Sequence, residues 1–280
     1  MKLNKLILLA LTMSLMSGCQ HTNAVDQPQR SKIKDTADVI DMHGGVTNLY
    51  KMDQFMKQVE QKEKASIRIS HYTIEGDPIY NDIYFDTAKF ELQYDTTQDQ
   101  FGSKEITTYS CDELIKTETA TEMKYTLNGC KGRGKSFDIL HLSYDVSQQD
   151  LFEFQLKYGR NQAEEINTID MKLVRDLRNG QTLGISDFQL NKEVQQNIYK
   201  QMVLSNYLSE KKFTACDQKP SYYLKVKING GIREFNWSAC ANSEDNTTMT
   251  ELANYIIHIV NSIPMYAEFE TASTIKLALG

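Results

Sequence analysis

Apolar residues that recur at every second position dominate this chain and set the terms for its fold. From Ser66 onward the first half alternates: Ile67 to Ile74, Ile79 to Phe85, and Lys89-Phe-Glu-Leu-Gln-Tyr94 each place apolar side chains on one face. A period of two is the signature of a half-buried strand, and Glu75-Gly76-Asp77-Pro78 between the first two runs has the chemistry of a turn. Further strands are expected at 105–109, 123–128 and 137–142. Ahead of them Leu49, Met52, Phe55, Met56 and Val59 follow three-and-four spacing, which predicts a helix capped by Thr47 or Asn48 and reaching about Lys62.

The second half mixes the same two periods. Phe152, Phe154, Leu156 and Tyr158 predict a strand, and residues 168–178 a helix stopped by Asn179-Gly180. Asn191 is expected to cap a longer helix over 192–208, with Val194, Ile198, Met202 and Ser205 inward. Residues 222–228 and 232–238 flank Asn229-Gly230-Gly231 and make the clearest hairpin of the chain. Thr248-Met-Thr-Glu251 has the form of a capping box, opening a last helix whose stripe is Met249, Leu252, Ile256, Ile259, Val260 and Ile263, ended by Pro264. Helices interspersed with antiparallel hairpins define an α+β class, antiparallel sheets with packed helices. Two small domains are expected, 38–147 and 148–264, with a tail at 265–280.

The first nineteen residues carry an address. Lys2 and Lys5 precede a short apolar run, and small residues lead to Cys19. That is a signal peptide, too short for the ~20 apolar residues of a spanning helix. Leu15-Met16-Ser17-Gly18-Cys19 resembles the bacterial lipobox, in which the cysteine is lipidated and becomes the mature N-terminus. Met16 departs from the usual Leu, Val or Ile. The resemblance implies removal of residues 1–18, a lipid on Cys19 as the membrane attachment, and an extracytoplasmic location. The polar stretch 19–37 lacks apolar periodicity and is expected to be a disordered tether, with a span of roughly 24 Å for its eighteen residues after Cys19.

Loss of residues 1–18 leaves 29 basic against 37 acidic residues. A diffuse negative charge argues against nucleic acid and against electrostatic adhesion to anionic lipid. Four other cysteines remain, Cys111, Cys130, Cys216 and Cys240. Outside the cytoplasm an even count suggests two disulfides rather than four buried thiols. Three connectivities are possible, and local pairing within each half is the simplest, with each bridge contributing ~3 kcal/mol. No metal-ligand spacing is present, and no cofactor motif.

Candidate chemistry is sparse. His71 lies near Glu75 and Asp77 in Tyr72-Thr-Ile-Glu75-Gly-Asp77-Pro78 and could form an acid–base pair, although Asp-Pro turns contain such residues for backbone reasons. His43-Gly44-Gly45 before a helix could hold an anion but lacks phosphate-loop spacing. His141 and His258 sit in apolar patterns and are expected to be core or half-buried. Tyr222, Tyr223, Phe235 and Trp237 are either a recognition surface or core. Asn229, Gly230 and Gly231 form a loop tip, as does the basic run around Arg133. No nucleophile arrangement accompanies any histidine, so no catalytic residue is assigned.

His43-Gly44-Gly45, the run Tyr72-Thr-Ile-Glu-Gly-Asp-Pro-Ile79 and Leu127-Asn-Gly-Cys130 are similar to a domain of unknown function found in lipoproteins of bacilli. The similarity continues through Asp187-Phe188, Ile198 to Met202 and Ile228 to Cys240. It implies an extracytoplasmic lipoprotein and carries no catalytic residue. The expected function is non-enzymatic binding of another protein or an envelope component. The alternatives are a regulator of a secreted hydrolase acting through Asn229–Gly231, and a hydrolase using His71 with Glu75 or Asp77.

Overall fold

A computed structural model describes residues 38–42, 45–132, 135–177, 179–216, 221–240 and 243–266. The expected signal peptide at 1–18, Cys19, the expected tether at 19–37, His43, Gly44, Arg133 and residues 267–280 lie outside the described residues. All described residues belong to one compact unit, Ile33–Gly280. Among them three sheets are formed, antiparallel but for one parallel pair, with helices packed against them, the expected α+β class.

The first sheet has the order β2-β1-β3-β4-β5-β6. Its strands are β1 (Asp38–Met42), β2 (Gly45–Thr47), β3 (Ala65–Tyr72), β4 (Pro78–Phe85), β5 (Phe90–Asp95) and β6 (Ile106–Cys111). Helix α1 (Tyr50–Glu60) connects β2 to β3, and β1 runs parallel to β3, so the first described strand is locked between β2 and β3. Val39, Ile67, Ile69, Ile83 and Leu92 are buried, and Met52 and Phe55 of α1 are buried with them. Asn48 turns left-handed (φ 61°), and the helix N-cap falls on Leu49 without a side-chain cap, rather than on Thr47 or Asn48.

The second sheet is β7 (Glu113–Glu118), β8 (Glu122–Asn128) and β9 (Ser136–Ser143). Strand β7 carries no clear sequence signal, because Glu-Leu-Ile-Lys-Thr-Glu buries only Leu114 and shows little alternation. Cys111 at the end of β6 bonds Cys130 just after β8, tying the first sheet to the second.

The third sheet is β10 (Phe152–Tyr158), β11 (Glu164–Asn167), β12 (Lys172–Asp176), β13 (Thr182–Ser186), β14 (Ser221–Ile228) and β15 (Gly231–Ser238). Its order is β13-β12-β11-β10-β14-β15, antiparallel throughout. The helix expected at 168–178 is replaced by a turn and β12. The Asn167 side chain accepts the N–H groups of Ile169 and Asp170, both at 2.9 Å, and turns the chain back on itself. Asn179-Gly180, taken as a helix stop, is the tip of the β12–β13 hairpin, with Gly180 at φ 85°. Asn-Gly serves both purposes, and here the hairpin prevails.

Helix α2 (Lys192–Leu204) is capped by the Asn191 side chain, which accepts the Val194 N–H at 2.9 Å. It buries Ile198, Tyr199, Met202 and Val203, a face partly different from the one expected. Helix α3 (Glu244–Asn261) starts a turn before the expected capping box, at Ser243, so Thr248 and Glu251 lie inside it. Glu244 and Asp245 complement the dipole of its first turn. Asn246, fully buried, donates to the carbonyls of Thr214 and Ser238 and accepts the Thr214 N–H, which pins that turn to the sheet. Cys216 bonds Cys240 beside it.

Tyr222, Phe235 and Trp237 are core: Trp237 stacks on Tyr222 at 5.2 Å and donates its indole N–H to Thr250. His141 and His258, in contrast, are exposed. His141 sits on the outer face of β9 bonded to Glu122, and His258 on the outer side of α3; in both cases the apolar neighbours face inward and the histidine faces water.

Candidate functional site

His71 stands near the end of β3, where strands from two sheets meet. Its Nδ1 lies 2.9 Å from Asp41 Oδ2 on β1. Its Nε2 lies 3.0 Å from Asn81 Nδ2 on β4 and 3.1 Å from the carbonyl of Ile139 on β9. With the Nδ1 proton donated to the carboxylate, Nε2 can accept from Asn81 but has no proton for Ile139. Asn81 Oδ1 is buried without a hydrogen-bond partner. Both ring nitrogens are therefore engaged by neighbours, and the cluster joins four strands. Glu75 and Asp77 are not among the groups that bond His71.

The two carboxylates instead belong to the β3–β4 turn. Thr73 N–H donates to the Asp77 carbonyl, Gly76 N–H to the Thr73 carbonyl, and Asp77 N–H to the Thr73 hydroxyl. Gly76 sits at φ 90°, a conformation that excludes most side chains. Asp77 then reaches across to the β5–β6 loop: its carboxylate accepts the backbone N–H of Gln100 at 3.0 Å and the Gln100 side-chain amide at 3.3 Å. Glu75 is exposed.

That loop is closed by its own side chains. Thr96 exchanges backbone and hydroxyl hydrogen bonds with Glu105, and Asp99 accepts the Phe101 N–H at 3.0 Å. Gly102 packs on Asp99 where a Cβ would collide. Burial raises the Tyr94 phenol at the end of β5, and the Asp99 charge adds to the effect. The outcome is a pair of fixed loop tips carrying Ile74, 89% exposed, and Phe101, 80% exposed. Sequence reasoning put Ile74 at the end of a strand over 67–74, whereas β3 stops at Tyr72 and leaves Ile74 in the turn, and it passed over Phe101. The available signal was an aromatic residue isolated in the polar run Thr-Thr-Gln-Asp-Gln-Phe101-Gly-Ser-Lys-Glu.

Asn229 and Gly230 form the two-residue connection of β14 and β15, with Gly231 already in β15. The Asn229 side chain accepts the N–H groups of Asp150 at 2.8 Å and Leu151 at 3.3 Å and donates to Gln149 at 3.0 Å. It clasps the hairpin to the segment that links the two halves of the chain. Separately, a cleft of about 590 Å³ opens between the β10–β11 and β12–β13 connections, lined by Gly159, Arg160, Asn161, Glu164, Asp176 and Thr182. None of the candidate site residues read from the sequence lines it. Among the described residues no group of three or more His, Cys, Asp or Glu side chains is arranged to hold a metal ion. No helix among them is long and apolar enough to cross a membrane.

Residues 36–126 match a family described as a domain of unknown function, DUF4362, which covers about a third of the chain. The match runs from ahead of β1 into β8 and includes His71, Asp41, Asn81 and both exposed tips, while Ile139 on β9 lies beyond it. No curated protein matches the chain, and no solved structure matches it.

Proposed function

We propose that the chain is a lipid-anchored protein of the extracytoplasmic face of the cell membrane, and that it works by binding another protein or an envelope component. The observation that carries the reading is the N-terminal run ending in Leu15-Met16-Ser17-Gly18-Cys19. It is supported by the pairs Cys111–Cys130 and Cys216–Cys240, since disulfides persist in oxidising compartments. Similarity of the Tyr72 to Ile79 run to lipoproteins of bacilli points the same way.

Binding is favoured over hydrolysis by the environment of His71. A general base needs a nitrogen within reach of the proton that it takes. Here Nδ1 serves Asp41, and Nε2 faces Asn81 and Ile139. The test of anchoring is Cys19→Ala in cells labelled with a palmitate analogue. Label is expected on the native chain and absent from the variant; equal label on both would end the lipoprotein reading.

A further inference from the structure

The β3–β4 and β5–β6 tips lie together at one end of the first sheet, coupled by the two hydrogen bonds from Gln100 to Asp77. Each presents one large apolar side chain, Ile74 and Phe101, to solvent. Met42, 49% exposed, closes β1 at the same end, because β1 is parallel to β3. Scattered exposed apolar residues are ordinary, but neighbouring tips held rigid by buttressing side chains are not scattered. Holding them out costs apolar hydration in the free protein and spares the ordering entropy on association.

The charge around these tips is predominantly acidic. Glu75 and Asp77 on the first loop and Asp95, Asp99 and Glu105 around the second stand against Lys104 alone. An acidic collar repels an anionic bilayer and favours a basic rim.

We infer that Ile74 and Phe101 form a docking tip for a protein partner that offers an apolar pocket rimmed by lysine or arginine. This rests on the binding reading above and gives it a surface. It also assigns Asp77 a positioning role: it holds the Phe101 loop beside Ile74. Ile74 supplies a branched aliphatic anchor and Phe101 a ring whose burial removes roughly 150–250 Å² from water. The remote cleft near Gly159 has no part in it.

The experiment uses the full-length chain in its own cells with a photo-reactive phenylalanine at Gln98, an exposed position beside Phe101, and a second version carrying it at Ile232 on the β14–β15 hairpin. The expected result is a protein adduct at Gln98 that falls roughly tenfold or more with Phe101→Ser or Ile74→Ser, as anchor residues do. It should also fall with Glu75→Lys and with added salt. Asp77→Ala should reduce it while leaving both anchors in the chain. Circular dichroism of each purified variant checks folding, and both serines replace exposed side chains. An adduct to lipid, an adduct to a second copy of the chain, no adduct at Gln98, or an adduct indifferent to the tip substitutions would each overturn the proposal. A protein adduct at Ile232 alone would overturn the tip while leaving the binding reading in place; no adduct at either position would remove both.

Discussion

Arg68 and Asp82 face each other across β3 and β4 through two parallel hydrogen bonds, Nε to Oδ1 at 2.6 Å and Nη2 to Oδ2 at 2.8 Å. Their side chains are 11% and 4% exposed, and the guanidinium also lies over the Tyr80 ring at 4.6 Å. Removing one member of such a pair leaves the other charge buried. Asp82→Ala is expected to cost about 3–5 kcal/mol in urea unfolding, whereas an apolar double replacement of Arg68 and Asp82 should cost far less. Equal losses in the single and double variants would refute that account.

Alkali should test the core tyrosines. Burial pushes the Tyr125 phenol up to about 12, opposed by the Lys116 charge and helped by Asp53. Burial raises Tyr207 as well, and its hydroxyl has no hydrogen-bond partner. An unfolded tyrosine ionises near about pH 10, so above that pH the unfolded chain sheds protons that the folded chain keeps. Stability from these groups is complete below about pH 10 and declines as pH rises toward 12. Urea midpoints measured from neutral to alkaline pH should fall less steeply for Tyr125→Phe than for the native chain. Tyr207→Phe, which removes an unsatisfied buried hydroxyl, should be neutral or stabilising at neutral pH.

Cleavage at 147–150 should distinguish covalent from non-covalent cohesion. Each disulfide lies within one side of the cut, so each fragment should be lighter than its sequence by two hydrogens. In native buffer the fragments should nevertheless elute together. Gln196 of α2 donates to the carbonyls of Ala120 and Tyr144 and accepts the Val146 N–H, Lys200 bonds Glu118 at 2.6 Å, and Asn206 bonds Thr47 at 3.0 Å. Mass spectrometry and size-exclusion chromatography, with and without urea, make the comparison. Cys130→Ser should cost ~2–5 kcal/mol.

Asn229→Ala should loosen the same junction. It removes the acceptor for Asp150 and Leu151 and the donor to Gln149. A loss of about 1–2 kcal/mol is expected, a fall in Tm of several degrees by thermal unfolding. An unchanged Tm would show that the clasp is not stabilising.

The parts of the fold that could be read from sequence are those where a single local signal has a single meaning. Alternation around Ile67, Ile83 and Leu92 marks strands with one core face, and Asn191 marks a helix start that its own side chain creates. Where one signal has two meanings, tertiary context decides. Asn179-Gly180 ends helices and turns hairpins alike; the Asn167 side chain, by folding the chain back toward β11, selects the hairpin. The capping box at Thr248 is a valid helix start overridden because the Asn246 side chain bonds backbone groups of Thr214, 32 residues back, and of Ser238, eight residues back. The candidate site suffered the same limitation. Asp77 is visible as a turn residue, but its bond to Gln100 joins positions 23 apart in sequence, and one partner of His71, Asp41, comes from β1, 30 residues earlier. Neither distance leaves a trace in local spacing.

The placement of β1 has a mechanical consequence. Its residues 38–42 are hydrogen-bonded to β2 on one side and to β3 on the other. Tension transmitted from a lipid anchor through residues 19–37 would enter the protein at Asp38. A load along the strand axis is then shared by all of these bonds in shear, instead of opening them one at a time as it would at a frayed edge. With the proposed anchor in place, drag should thus be borne by the first sheet, and single-molecule pulling from Asp38 should show a higher rupture force than pulling that peels β15 away from β14.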